Sequence, residues 1–179
     1  MVKELGLNQA TVQRDQISQQ IVSNLFWLSV SMSILLAVIM AACAPLLADF
    51  YGEPEVQALA VAYAATIVVW GLQSQPAALL ARKLAFKTIA IIEVVSLLAG
   101  FIVAVATAYL TRSYWALFYG TIVTAAVSTL ASWMASKFKP MKIGSAEGMR
   151  EMIGFGSSIA GFDLLNFASR NADNILIAR

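Results

Sequence analysis

The sequence predicts an all-α, polytopic membrane helical bundle, and two properties of the chain lead to that prediction. Of its 179 residues, 60% are hydrophobic and 12% are charged, whereas soluble globular proteins average about 45–50% and about 25%. The apolar residues also fall in runs of roughly 20, the length at which a helix crosses the hydrocarbon core of a bilayer. Barrel strands need only about 9–11 residues, so helices are favoured over strands.

Four apolar runs are predicted to span the membrane, at about residues 24–48, 56–76, 88–110 and 114–136. Turn-forming residues separate them: Gly52 and Pro54 follow the first run, and Pro140 and Gly144 follow the fourth. A fifth apolar run, at about residues 152–177, is interrupted by polar side chains.

The composition removes several classes of function. The chain has no His, a single Cys at Cys43, and no Gly-rich phosphate loop, HExxH or nucleophile-elbow motif. The residues therefore suggest no catalytic group, no metal site and no cofactor. A net charge of +2 creates no basic field for nucleic acid. We expect a protein that is not an enzyme and that has no nucleic-acid partner.

Lys and Arg are distributed unevenly between the two sides that four spans define. Nine of the twelve lie before the first run, between the second and third, or after the fourth. The opposite side holds Arg112 together with three acidic residues, Asp49, Glu53 and Glu55, in a turn that we interpret as solvated rather than as a cation site. Because cytoplasmic loops are enriched in Lys and Arg, the bias places three segments in the cytoplasm: residues 1–20, 82–87 and 137–150.

Small residues recur every four positions in three of the predicted spans. These are Ser29, Ser33, Ala37 and Ala41 in the first, Ser96, Gly100, Ala104 and Ala108 in the third, and Gly120, Thr124, Ser128, Ser132 and Ser136 in the fourth. Such stripes let membrane helices approach closely. Packing is the simpler interpretation, and a hydrated cavity lined by the Ser/Thr stripe of the fourth span is the alternative.

The second run contains Pro76 after a polar stretch, Gln73-Ser74-Gln75. Proline has no backbone N–H and so ends or kinks a helix. Two interpretations stay open: a plain helix terminus, and a functional break of the kind found in transporters.

Glu93 is an acidic residue about five positions inside the third span. At ~100° per residue it lies within about 20° of Gly100 on the helix surface, so we expect it to point into the bundle. An ion-coupling role and simple snorkelling to the interface are the two alternatives.

The fifth segment carries a polar stripe that predicts a substrate cavity. At ~100° per residue its polar members fall within an arc of about 100°: Asp163, Asn166, Arg170, Asp173 and Asn174. In a membrane such a stripe faces protein or water. Arg170 and Asp173 form an i,i+3 pair that fits a structural ion pair. The alternative is a cavity wall in which the guanidinium of Arg170 binds a phosphate group.

Short stretches in order along nearly the whole chain carry a family resemblance. They are LGL at 5–7, ATVQR at 10–14, FW at 26–27, APLLADFYGEP at 44–54, LARKLAFK at 80–87, WAL at 115–117, FG at 155–156 and RNADNILIAR at 170–179. Together they resemble the Wzx-like polysaccharide flippases (O-antigen and exopolysaccharide transporters) of the MATE-like MOP superfamily.

The resemblance implies a transporter of two six-helix halves around a central cavity. Such a protein carries undecaprenyl-diphosphate-linked oligosaccharide across the bacterial inner membrane by alternating access. The chain would then be a fragment with the following divisions: residues 1–20 as the cytoplasmic end of a truncated helix, 21–139 as four helices of the N-terminal half, 140–150 as a cytoplasmic linker and 151–179 as the first helix of the truncated C-terminal half.

The partners implied are the lipid bilayer, the lipid-linked glycan and the missing remainder of the transporter. Two alternative functions stay open. One is a cation-coupled exporter of small molecules or drugs on the same fold, and the other is a membrane assembly subunit that transports nothing.

Overall fold

The computed structural model describes residues 19–144. They form four α-helices: α1 (Gln19–Tyr51), α2 (Pro54–Arg82), α3 (Phe86–Thr111) and α4 (Trp115–Ser136). Each is long and apolar enough to cross a membrane, and no strand occurs within this part of the chain. The predicted all-α polytopic bundle and its first four spans are confirmed. The predicted fifth span lies outside the described residues.

Short turns make consecutive helices antiparallel. Gly52 takes a φ of +70° after α1, a conformation that glycine adopts without strain. Pro54 begins α2, where its missing N–H has no helical partner to lose. Leu84 and Arg112 close the next two turns in the left-handed region, at φ values of 53° and 46°. Each connection is thus short enough to form a helical hairpin.

The bundle consists of two helical hairpins joined at one seam. α1 packs on α2, α3 packs on α4, and contact between α2 and α4 joins the pairs. α3 and α4 approach closely at two glycines: a Cβ added to Gly100 would lie 2.6 Å from the carbonyl oxygen of Gly120. In the other hairpin, a Cβ on Gly71 would lie 2.6 Å from the Cβ of Ser33. Small residues therefore set both helix separations.

The faces turned away from these contacts are apolar. On α3, for example, Phe101 and Ile102 are 66% and 64% exposed. Unlike a soluble protein, which rarely leaves so much apolar surface open, a membrane protein covers such faces with acyl chains or further helices.

Candidate functional site

The predicted cavity residues of the fifth segment lie outside the described residues. They are Asp163, Asn166, Arg170, Asp173 and Asn174, and their role stays a prediction. The site that the structure does describe lies at the end of the bundle where α1 begins and where α2 and α4 end.

The expectation that Glu93 points into the four-helix contact is wrong. Glu93 is exposed, whereas the buried residues of α3 are Ile92, Ser96 and Gly100. The buried row follows every fourth residue, and at ~100° per residue it drifts by about 40° at each step. At Ile92 the buried row has therefore turned about 80° around the helix from the direction of Gly100. Glu93 lies about 20° from Gly100 in the opposite direction, and so it lies outside the buried row. An ion-coupling role for Glu93 stays a prediction.

Hydroxyl and amide groups join α2 to its two neighbours, in a set we call the polar seam (Ser29, Gln73, Ser74, Ser128 and Thr129). Ser74 Oγ donates to Ser29 Oγ of α1 at 3.4 Å. From α4, Thr129 Oγ1 donates to the carbonyl of Val69 at 3.3 Å, and Ser128 Oγ accepts from Gln73 Nε2. In membranes such hydrogen bonds hold helices together. The small-residue stripe of α4 therefore serves helix packing. Its members Gly120 and Thr124 contact α3, and its member Ser128 contacts α2.

Pro76 lies inside α2, which continues to Arg82, so the helix-terminus interpretation is wrong. A proline ring cannot donate to the carbonyl four residues earlier, and for Pro76 that acceptor is Leu72 O. The indole Nε1–H of Trp133 in α4 donates to this oxygen at 2.9 Å. An interhelical hydrogen bond therefore replaces the missing helical one, and α2 passes through the proline without an orphaned carbonyl.

An aromatic cluster holds Trp133 in place. Phe26 of α1 packs edge-on against Trp133 with ring centroids 5.6 Å apart, and Phe138 lies 5.5 Å from Phe26 and 5.7 Å from Trp133. Phe26 and Phe138 are 3% and 7% exposed. Edge-to-face pairs at these distances are favourable, and they fix the direction in which the indole N–H points.

After α4 the chain turns back along the beginning of α1, as residues 138–144, which we call the return segment. Its backbone is bound by α1 side chains. Gln20 Nε2 donates to Lys142 O at 2.7 Å, Trp27 Nε1 donates to Met141 O at 2.9 Å, and Ser23 Oγ accepts from Met141 N at 2.9 Å. Asn24 binds both backbone groups of Gly144: its Oδ1 accepts from the N–H at 3.1 Å, and its Nδ2 donates to the carbonyl.

Six basic residues lie at this same end, in a set we call the basic collar: Arg82, Lys83, Lys87, Lys137, Lys139 and Lys142. Lys83 Nζ donates to Ser136 O in the last turn of α4 at 3.5 Å, which joins the ends of α2 and α4. At the opposite end, Glu53 and Arg112 lie in the α1–α2 and α3–α4 turns, Asp49 lies in the last turn of α1 and Glu55 lies in the first turn of α2. Within residues 19–144 no group of three or more Cys, Asp and Glu is placed to hold a metal ion.

Sequence reasoning missed both the Trp133 contact and the return segment. Trp133 is easily interpreted as an interface anchor, because its position near a span end fits that role. A proline inside a long apolar run does signal an unfilled carbonyl. The donor, however, lies 61 positions away in sequence and is identified only by the fold.

A family model described as "Polysaccharide biosynthesis protein" matches residues 1–179. Among curated proteins, the chain is 25% identical to teichuronic acid biosynthesis protein TuaB of Bacillus subtilis (strain 168), covering 100% of the chain and 38% of TuaB. It is 26% identical to lipopolysaccharide biosynthesis protein WzxC of Escherichia coli (strain K12), covering 99% of the chain and 37% of WzxC. For succinoglycan biosynthesis transport protein ExoT of Rhizobium meliloti (strain 1021), the identity is 24%, over 100% of the chain and 36% of ExoT.

The chain thus spans a little over a third of the length of these relatives. No solved structure matches it.

Proposed function

The chain belongs to the polysaccharide biosynthesis protein family, and we propose that it acts within a flippase for undecaprenyl-diphosphate-linked oligosaccharide. In this proposal, transport crosses the bacterial inner membrane by alternating access. The chain is that of a multi-pass bacterial membrane protein, which agrees with such a role.

The observation that carries the proposal is the match of the whole chain to relatives named for three different polysaccharides. TuaB is named for teichuronic acid, WzxC for lipopolysaccharide and ExoT for succinoglycan transport. Because the sugars differ, the property they can share is the lipid-linked form of the glycan rather than one sugar sequence. A family fitted to that form needs a cavity that tolerates varied sugars and a fixed group for the diphosphate.

Arg170 is our candidate for the diphosphate-binding group. A guanidinium presents paired N–H donors that match phosphate oxygens, and it stays charged in an apolar surrounding. Asp163, Asn166, Asp173 and Asn174 belong to the polar stripe that the sequence predicts around Arg170, and they would line the same cavity. Glu93 is the candidate for ion coupling, since an acidic group inside a span is costly to keep without a function.

The test is deletion and restoration of the reading frame that contains this chain, in its own bacterium. We expect deletion to remove surface polysaccharide and to accumulate lipid-linked glycan in the inner leaflet. Restoration with Arg170→Ala should leave export absent at a wild-type protein level, and Arg170→Lys should restore it only in part. The matched control is Arg112→Ala, at the end of the bundle opposite the basic collar.

Unchanged surface polysaccharide after deletion would overturn the flippase proposal. Altered drug efflux in its place would favour the exporter alternative. Wild-type export by Arg170→Ala would remove Arg170 from the site while leaving the flippase proposal intact.

A further inference from the structure

The connection from α2 into the first residue of α3, which we call the Leu84–Phe86 turn, exposes two large apolar side chains between lysines. Leu84 and Phe86 are 69% and 64% exposed, and Lys83 and Lys87 flank them in sequence. This turn is well fixed: Leu84 N–H donates to Ala81 O at 2.9 Å, and the next amide donates to Leu80 O at 3.1 Å. These backbone hydrogen bonds fix the conformation that leaves the side chains of Leu84 and Phe86 exposed.

Leu84 has a left-handed backbone conformation, with φ at 53°. Leucine rarely adopts that region, which glycine or asparagine would occupy without strain. A leucine at a position where a small or polar residue folds more easily indicates that its exposed side chain has a use.

The charge around the turn is of one sign. Lys83 is held against the last turn of α4 by its bond to Ser136 O at 3.5 Å. This contact joins the turn to the rest of the basic collar. Of the acidic residues in the described part of the chain, three lie at the opposite end of the bundle. The fourth, Glu93, lies six residues beyond Lys87 along α3, about 9 Å at ~1.5 Å per residue.

We infer that the basic collar and the Leu84–Phe86 turn together form a binding site for the headgroups of anionic phospholipids in the adjacent leaflet. The lysine ammonium groups bind the lipid phosphates, while Leu84 and Phe86 enter the boundary between headgroups and acyl chains. Charge complementarity selects this occupant, because anionic leaflets attract clusters of Lys and Arg at a membrane end. The outward exposure of both apolar side chains favours bulk lipid over a substrate in a cavity.

The experiment uses the full 179-residue chain in detergent, titrated with phosphatidylglycerol or with phosphatidylcholine of the same acyl chains. Bound lipid is counted by native mass spectrometry. We expect preferential binding of phosphatidylglycerol that weakens as salt rises, since exposed charges are screened. The variant Lys83→Gln/Lys87→Gln should lose about 25-fold in affinity, at about fivefold for each lysine. Arg112→Gln, at the other end, is the matched control and should bind as the wild type does.

A second variant, Leu84→Ser/Phe86→Ser, separates a lipid from free phosphate. It should weaken phosphatidylglycerol binding and leave competition by inorganic phosphate unchanged. If Lys83→Gln/Lys87→Gln loses helix content by circular dichroism, Lys137→Gln/Lys139→Gln in the same collar takes its place. Equal binding of the two lipids by the wild type, or an equal loss in Arg112→Gln, overturns the inference. Neither result bears on glycan transport.

Discussion

The indole N–H of Trp133 donates to the carbonyl oxygen of Leu72 at 2.9 Å, and that oxygen is the acceptor that Pro76 leaves without its helical donor. The donor, Trp133, lies in α4, whereas the acceptor Leu72 and the proline lie in α2. Neighbouring side chains of α4 add further bonds to the same stretch of α2, through Ser128 and Thr129. α2 is thus attached to α4 next to the one place where its own hydrogen-bond ladder is broken.

Trp133→Phe should test this arrangement, because it keeps an aromatic ring in the cluster and removes the N–H. We expect the free energy of unfolding to fall by about 1 kcal/mol, as a carbonyl loses its donor. Pro76→Ala supplies a backbone N–H to Leu72 O, so the loss from Trp133→Phe should be smaller in that background. Unfolding in bicelles provides the double-mutant cycle. Additive losses would show that the indole bond does not replace the missing helical one.

Asn24→Ala should release the end of the return segment from α1. The substitution removes both side-chain bonds to Gly144. We expect amide exchange at Gly144 to accelerate roughly tenfold, which corresponds to about 1.4 kcal/mol of local stability. The control is Ser31→Ala, whose hydroxyl bonds only the carbonyl of Trp27 in its own helix. Unchanged protection in Asn24→Ala would mean that other contacts hold this part of the segment.

Gly100→Ala should push α3 and α4 apart. The added methyl group meets the carbonyl oxygen of Gly120 at 2.6 Å, as well as the Thr124 side chain. We expect a loss of about 1–3 kcal/mol in unfolding free energy. Combining it with Thr124→Ala removes the side-chain clash and leaves the backbone clash, so most of the loss should persist. If the double variant regained the full unfolding free energy, the Thr124 side chain alone would limit how closely α3 and α4 approach.

Glu93→Gln should reduce glycan export without changing the stability of the fold. Because Glu93 is exposed, the unfolding free energy should change by less than about 0.5 kcal/mol. Glycan export by the restored reading frame should nonetheless fall, since a neutral amide cannot take up or release a proton. Glu55→Gln, in the first turn of α2 at the opposite end of the bundle, provides the control. Export at the wild-type level would exclude Glu93 from coupling.

The orientation in the membrane that the distribution of Lys and Arg predicts is testable by labelling. In a Cys43→Ser background, Lys139→Cys and Glu55→Cys place one thiol at each end of the bundle. With an impermeant maleimide on intact spheroplasts, we expect Glu55→Cys to react and Lys139→Cys to react only after lysis, because cytoplasmic segments are rich in Lys and Arg. The reverse pattern would invert the assigned topology.

The sequence was sufficient for the helices and insufficient for the contacts between distant parts of the chain. Run length predicts the four spans, and small-residue spacing predicts the stripes that contain Gly100 and Gly120, because these are local properties of one helix. Which stripes meet is shown only by the fold. Glu93 was misplaced because a helical wheel ignores the slope of the contact row along the axis. The bonds from Trp133 to Leu72 and from Asn24 to Gly144 join residues that only the fold brings together.

The return segment also sets an order of events during synthesis. Its backbone pairs with side chains of α1 that are 114–122 positions earlier in the chain. At about 5–20 residues per second, the ribosome needs roughly 6–24 s to make the intervening helices. During that interval Gln20, Ser23 and Asn24 are already made, and the backbone that will satisfy them does not yet exist. Apart from bonds within α1 itself, such as that of Ser23 Oγ to Gln19 O, these side chains must be hydrated or held by the insertion machinery until then. Residues made early in synthesis thus reach their partners in the return segment late.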